Sequence, residues 1–369
     1  MRPRVALVSW TVNPPGHRAG GLFGGLIREG HERFDFVCVA SRVHPDLAPL
    51  VECRRAPALP GPTRLTWASF YATAAVALKR ARADVVHAMS PIPAVPNRVD
   101  LASVNFCLAG FHEAAGGRPP GANRFAWPVV RALTTGLERF SYRPPRTRLA
   151  VVETAAAKAT VERHYPELPV VEIPLVYDTN RYRPDSGVRA QVRAELSAGS
   201  DDVVALYAGR NPHIKGLDLA VEGLADAHRR GAGQLTLWGA GSPLARRHAL
   251  EGQVKTLGDR SDMERYFAAA DVFVLPTIYE HGSRASHEAA ASGLPLVVTA
   301  THGPAALIGD DEGGIVIERD PRSIGAALAR LAADPGLRKG MGEVARERML
   351  ASNGRSYEPF FELYERLAA

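Results

Sequence analysis

Two doubly wound, mainly parallel α/β sheets are what this sequence predicts, and three observations carry the prediction. Apolar β-type runs alternate with helix-type segments from end to end, the pattern of parallel sheets with crossover helices. The 369 residues are too many for one ordinary domain and suit two of roughly 100–200 residues each. Glycine turns, cations and carboxylates stand just past several of the strands, where open α/β sheets bind ligands.

In the first half the strand candidates are 5–10, 34–40, 85–88, 101–106, 149–152 and 170–173. In the second they are 203–208, 234–238, 254–257, 272–275, 296–299 and 315–317. Between them 67–81, 217–229, 263–269 and 324–333 repeat apolar residues at i, i+3 and i+4, one face of a helix. Residues 1–176 and 177–350 are therefore read as two domains facing a central cleft, the expected binding site. The seam is placed in the irregular, proline-bounded stretch after Ile173, and the aromatic amphipathic segment 351–369 is expected to return to the first domain. Proline-rich stretches at 57–62, 91–96 and 119–120 read as loops.

Apolar residues make up 46% and charged residues 23%, a globular composition that excludes disordered and fibrous classes. The apolar run near Met1 is too short for a secretory core and nothing later approaches a membrane span, so a cytoplasmic protein is expected. Cys38, Cys53 and Cys107 lack metal or disulfide spacing and read as small buried apolar residues. The net charge of +6 comes from scattered arginines, lysine occurring only at Lys79, Lys158, Lys215, Lys255 and Lys339. Without a polybasic run or interleaved aromatics, no nucleic-acid partner is expected, and at most peripheral contact with an anionic membrane at its inner face.

The richest stretch runs from Leu275 to Val298. Past the 272–275 strand comes a short loop with Glu280, then Gly282 and Ser283, then an alanine-rich helix carrying Glu288 about two turns later. The loop lets amides at the helix start face an anion, and Glu288, set among Ala285, Ala289, Ala290 and Ala291, can accept ribose hydroxyls as acids do in dinucleotide sites. Past the 203–208 strand, Gly209 turns the chain, Arg210 is exposed, and Lys215 precedes Gly216 and a helix. Two cations and free amides at a strand's carboxyl end suit a diphosphate, although two solvated cations on a loop would look the same. Gly216 is expected to let the backbone approach a ligand. Residues 16–25, with Gly20 and Gly21, follow the first strand and read either as a surface loop or as a phosphate or sugar contact. Gly239, Ala240 and Gly241 form a strand-end turn placed near the nucleotide. Asp310, Asp311, Glu312, Asp201 and Asp202 read as solvated turns, no metal clamp stands out, and motifs for serine hydrolases, zinc proteases and P-loop NTPases are missing.

Together, Gly209-Arg210 to Lys215-Gly216, Gly239-Ala240-Gly241, Asp271 to Pro276, and Glu280 to Glu288 with Gly293-Leu294-Pro295 resemble the family-4 retaining glycosyltransferases of the GT-B fold, built from two Rossmann-like domains. The resemblance implies a metal-independent hexosyltransferase that moves a sugar from a nucleoside-diphosphate sugar, UDP- or GDP-linked, to a hydroxyl on a small-molecule, glycan or lipid-linked acceptor. It implies no cofactor beyond that co-substrate. By it, Arg210 and Lys215 bind the diphosphate, Glu288 the ribose, and Glu280 sits beside the donor sugar. Amides of Ser283, Arg284 and Ala285 hold phosphate, the base lies against 254–257, with Lys255 and Leu257, mostly through backbone, and Gly20 and Gly21 are the first domain's glycine pair. His281-Gly282-Ser283 replaces the family's usual Gly-Phe-Gly. Asn105 stands where the family has a histidine, with His112 one loop further on as the alternative. A nucleotide-sugar epimerase, a glycan phosphorylase or a catalytically silent sugar-nucleotide-binding subunit also fits the layout.

Overall fold

The computed structural model describes residues 2–14, 21–59, 63–89, 98–241, 252–301, 303–309 and 311–369, with backbone alone at 63–65, 67 and 68. It divides into two compact units: Met1–Gly110 with Phe125–Val176 and Gly354–Ala369, and Phe111–Arg124 with Tyr177–Asn353. The expected boundary near 176 thus coincides with a change of unit. Segment 111–124, expected in the first domain, instead belongs to the second.

The first unit is built on β1 (Arg4–Val12), β2 (Asp35–Val43), β3 (Glu52–Arg55), β4 (Val85–Met89), β5 (Val99–Ser103), β6 (Thr147–Val152) and β7 (Val170–Glu172). They pair in parallel in the order β3-β2-β1-β4-β5-β6-β7. β3 was not anticipated, because its residues alternate half-buried with exposed on a sheet edge and carry charges, the usual protection of an edge strand. Its Cys53 is exposed, contrary to the expected burial, whereas Cys38 and Cys107 are buried. β5 starts earlier than its apolar run suggests. Its buried Asp100 is held by Arg98, Arg148 and the Val86 amide, which hides a strand residue inside a charge cluster.

The helix Glu358–Ala368 completes this unit's core. Phe360, Phe361 and Tyr364 are buried, with Phe361 and Tyr364 each 5.5 Å, ring to ring, from Phe34. Burying three aromatic rings is worth several kcal/mol. His87 on β4 lies 2.6 Å from the Tyr364 hydroxyl and 2.8 Å from Ser103 Oγ, and burial pushes its pKa down to about 3. A side chain on Gly25 would run into the Tyr357 ring. Part of the glycine-rich stretch after β1 therefore serves packing.

The second unit carries β8 (Val203–Ala208), β9 (Leu235–Ala240), β10 (Val254–Gly258), β11 (Val272–Leu275), β12 (Leu296–Thr299) and β13 (Gly314–Ile317). Its parallel order is β10-β9-β8-β11-β12-β13. The chain winds one way from β8 to β10 and the other way from β11 to β13, so the switch point lies between β8 and β11. That is where such sheets open a crevice for ligands.

Candidate functional site

The turn after β8 is shaped by its own backbone. Asn211 adopts a left-handed conformation (φ 64°) and caps the single helical turn Pro212–Lys215, accepting from the Ile214 amide. Gly216, also left-handed at φ 79°, ends that turn and starts the helix Leu217–Arg229. A Cβ there would lie 2.3 Å from the Pro276 carbonyl oxygen. The close approach that Gly216 permits is therefore to the backbone after β11, not to a ligand.

The loop after β11 is tied to that turn. The Ile278 amide donates to the Ile214 carbonyl (2.9 Å), and Thr277 Oγ1 reaches the same oxygen (3.3 Å). Thr299 at the end of β12 donates to the Thr277 carbonyl (2.8 Å), and the Gly303 amide to that of Glu280 (2.6 Å). Arg319, two residues past β13, donates to the Pro276 and His213 carbonyls, each at 3.1 Å, and so clamps both loops. The Lys215 ammonium and Glu280 carboxylate form an ion pair across the switch point. Burial pushes the Lys215 ammonium down to about 8, while the adjoining carboxylate works to keep it charged. Arg210 is exposed and makes no ion pair among the described residues.

Next in chain order, His281 is buried with its ring against Tyr279, and Ser283 caps the helix Arg284–Ala291 by accepting from the Ser286 amide. The serine thus serves the helix start with its side chain, and the Ala285 amide has no acceptor among the described residues. Glu288 is buried, meets Arg284 at 3.2 Å and interacts with the Tyr182 hydroxyl. Desolvation raises its carboxyl pKa against the pull of these partners. His287 stacks on Tyr177 at 4.6 Å and bonds to the Ser283 carbonyl (2.8 Å), and burial lowers its pKa to about 4.

Residues 202–334 match the family model described as glycosyl transferases group 1. The matched residues lie within the second unit. A "D-inositol 3-phosphate glycosyltransferase" of Streptomyces bingchenggensis is 31% identical over 205 residues, 50% of this chain and 45% of that protein. The chain spans about half the length of the curated relatives it matches. In three dimensions, the glycosyltransferase WaaG, involved in lipopolysaccharide biosynthesis, aligns with TM-score 0.79 at 20% identity over 99% of this chain and 98% of its own. Anabaena HepE, in a crystal structure with UDP-glucose, aligns with TM-score 0.69 at 15% identity over 99% and 98%. The fold is GT-B.

Gly209, Arg210, Lys215, Gly239, Lys255, Leu257, Glu280, Gly282, Ser283, Arg284, Ala285 and Glu288 all fall inside the matched residues 202–334. Gly209 packs on the Lys215 side chain. Gly239 is buried inside β9, so the expected strand-end turn begins at Gly241, left-handed at φ 93°. The Lys255 ammonium is taken by the Leu196 carbonyl, which leaves the edge backbone of β10, with half-buried Leu257, as the surface a base could meet. Gly21 opens the helix Gly21–Gly30 of the first unit, and Gly20 lies outside the described residues, as does Asp310. Asn105, exposed after β5 in the first unit, donates to the Met89 sulfur at 2.9 Å. His112 is buried in the helix Leu108–Ala114, within the segment that joins the second unit. Near that segment an open cavity of about 290 Å³ is lined by Ala114, Arg118, Thr277, Thr301 and Arg319.

Sequence reasoning missed Arg319 and Tyr182. Arg319 had a readable signal, a cation just past a strand of the same sheet. Tyr182 had none, since its link to Glu288 joins distant stretches of chain. Among the described residues no three His, Cys, Asp or Glu side chains gather as a metal site, and no helix is long and apolar enough to cross a membrane.

Proposed function

We propose that the chain is a glycosyltransferase that moves a sugar from a nucleoside-diphosphate sugar to an acceptor hydroxyl with retention of configuration and without a metal ion. The Lys215 and Glu280 pair at the switch point carries this reading. The bond from the anomeric carbon to the β-phosphate oxygen breaks through an oxocarbenium-like state, so negative charge grows on the leaving diphosphate. Lys215, Arg210 and the Ala285 amide supply cations and a dipole where that charge develops. Glu280 holds the Lys215 ammonium and faces the donor sugar, and Glu288 takes the ribose hydroxyls by exchanging Arg284 or Tyr182 for them. The acceptor oxygen forms its bond from the face the diphosphate leaves, and its proton passes to the leaving phosphate oxygen.

The HepE complex with UDP-glucose makes UDP-sugars the first donors to test, and the relatives named D-inositol 3-phosphate glycosyltransferases make phosphorylated polyols the first acceptors. Incubation with UDP-, GDP-, ADP- and dTDP-sugars in EDTA is expected to release nucleoside diphosphate only when acceptor is present, and NMR to show the donor's anomeric configuration in the product. Acceptor-independent release, an inverted centre or inactivity in EDTA restored by a divalent cation contradicts the proposal.

A further inference from the structure

The helix Trp127–Tyr142 of the first unit is turned inside out. A helix on a globular protein normally buries its apolar stripe, yet here the buried residues are Glu138, Ser141 and Tyr142. Glu138 accepts from the Leu108 and Ala109 amides at 2.7 and 2.9 Å and from the Tyr165 hydroxyl, and Tyr142 packs edge-on against the Tyr165 ring at 5.0 Å. The opposite side exposes Val129 at 59%, Leu133 at 60%, Leu137 at 43% and Phe140 at 47%, at i, i+4, i+8 and i+11, with Phe125 at 75% just before the helix. One contiguous apolar ridge results, of the kind that marks an interaction surface.

The charges around the ridge have one sign. Arg139 and Arg143 are exposed, and the Arg146 guanidinium lies 3.7 Å over the Phe140 ring. Between residues 125 and 146 the single acid is Glu138, whose carboxylate is consumed inside. We propose that this face docks on an anionic lipid surface, the apolar side chains entering the headgroup boundary and the arginines meeting lipid phosphates. An apolar face with a basic border and no acid is what an interfacial helix requires. Two copies packed face to face would set arginine against arginine, which argues against a second copy as the occupant. The inference does not depend on the transferase reading.

The test sediments the full chain with vesicles of equal parts phosphatidylglycerol and phosphatidylcholine, and with phosphatidylcholine alone. Binding to the anionic vesicles is expected to be at least ~10-fold tighter, and to be lost in Leu133→Asp with Phe140→Asp. Should that variant fail to fold, Arg139→Gln with Arg143→Gln, which leaves the ridge intact, is expected to reduce the anionic preference several-fold. The proposal is overturned if the wild type ignores anionic vesicles, if folded variants bind as well as the wild type, or if light scattering shows a dimer that the Leu133 and Phe140 substitutions dissociate.

Discussion

In the proposed transfer, Lys215 acts through a conflict between burial and pairing. Desolvation penalises its ammonium, while Glu280 makes the charge worth keeping. A cation already stripped of much of its water needs less reorganisation when negative charge appears on a leaving diphosphate. The charged form is the useful one, so turnover should decline as pH rises through the region near 8 to which burial draws this lysine. A kcat/KM profile into the alkaline range checks this. Lys215→Arg, whose guanidinium stays protonated, is expected to lose that alkaline limb, and Lys215→Ala to lower kcat on the order of 100-fold. An alkaline limb that persists unchanged in Lys215→Arg would assign it to another group.

Position at this site is set by whole loops, and two residues show how. Gly216 combines a left-handed φ with a Pro276 carbonyl where its Cβ would be, so Gly216→Ala should destabilise by at least about 1–2 kcal/mol from backbone strain alone, read as a lower urea midpoint. Arg319 binds the carbonyls of both loops with one planar group. Arg319→Ala is expected to lower kcat by about tenfold or more, since small misplacements at a reacting centre are costly. Arg319→Lys should recover only part, because an ammonium lacks the fork that spans two acceptors. The alternating apolar pattern made the second sheet legible strand by strand, and strand-end position picked out Gly209, Lys215 and Glu280. What stayed hidden depends on long-range pairing. Lys255 looked like part of the base site until the Leu196 carbonyl, 59 residues away, claimed its ammonium, and the ridge on Trp127–Tyr142 looks in sequence like any buried amphipathic stripe.

At the scale of the molecule, each unit contains a histidine held neutral by burial. His87 links β4, β5 and the helix Glu358–Ala368 in the first unit, and His287 lies under Tyr177 in the second. The aromatic pattern of the C-terminal helix announced its packing, but nothing local announced that His87 would receive it, because the partners are far apart in sequence. An unfolded imidazole titrates near 6.5, whereas these titrate at about 3 and about 4 in the folded chain. Between those values the unfolded state binds more protons, so stability rises with pH. The histidine contributions are complete above about pH 6.5 and are lost as pH falls through about 4 for His287 and about 3 for His87. Full loss amounts to roughly 3–5 kcal/mol for each. Urea unfolding between neutral pH and the acid range should therefore show midpoints falling from about pH 6.5 downward. His287→Phe, which keeps an aromatic ring against Tyr177, should flatten the part contributed by the second unit even though losing the Ser283 bond lowers stability at neutral pH. If the variant's midpoint falls with acid as steeply as the wild type's, His287 is not among the groups that make this protein sensitive to acid.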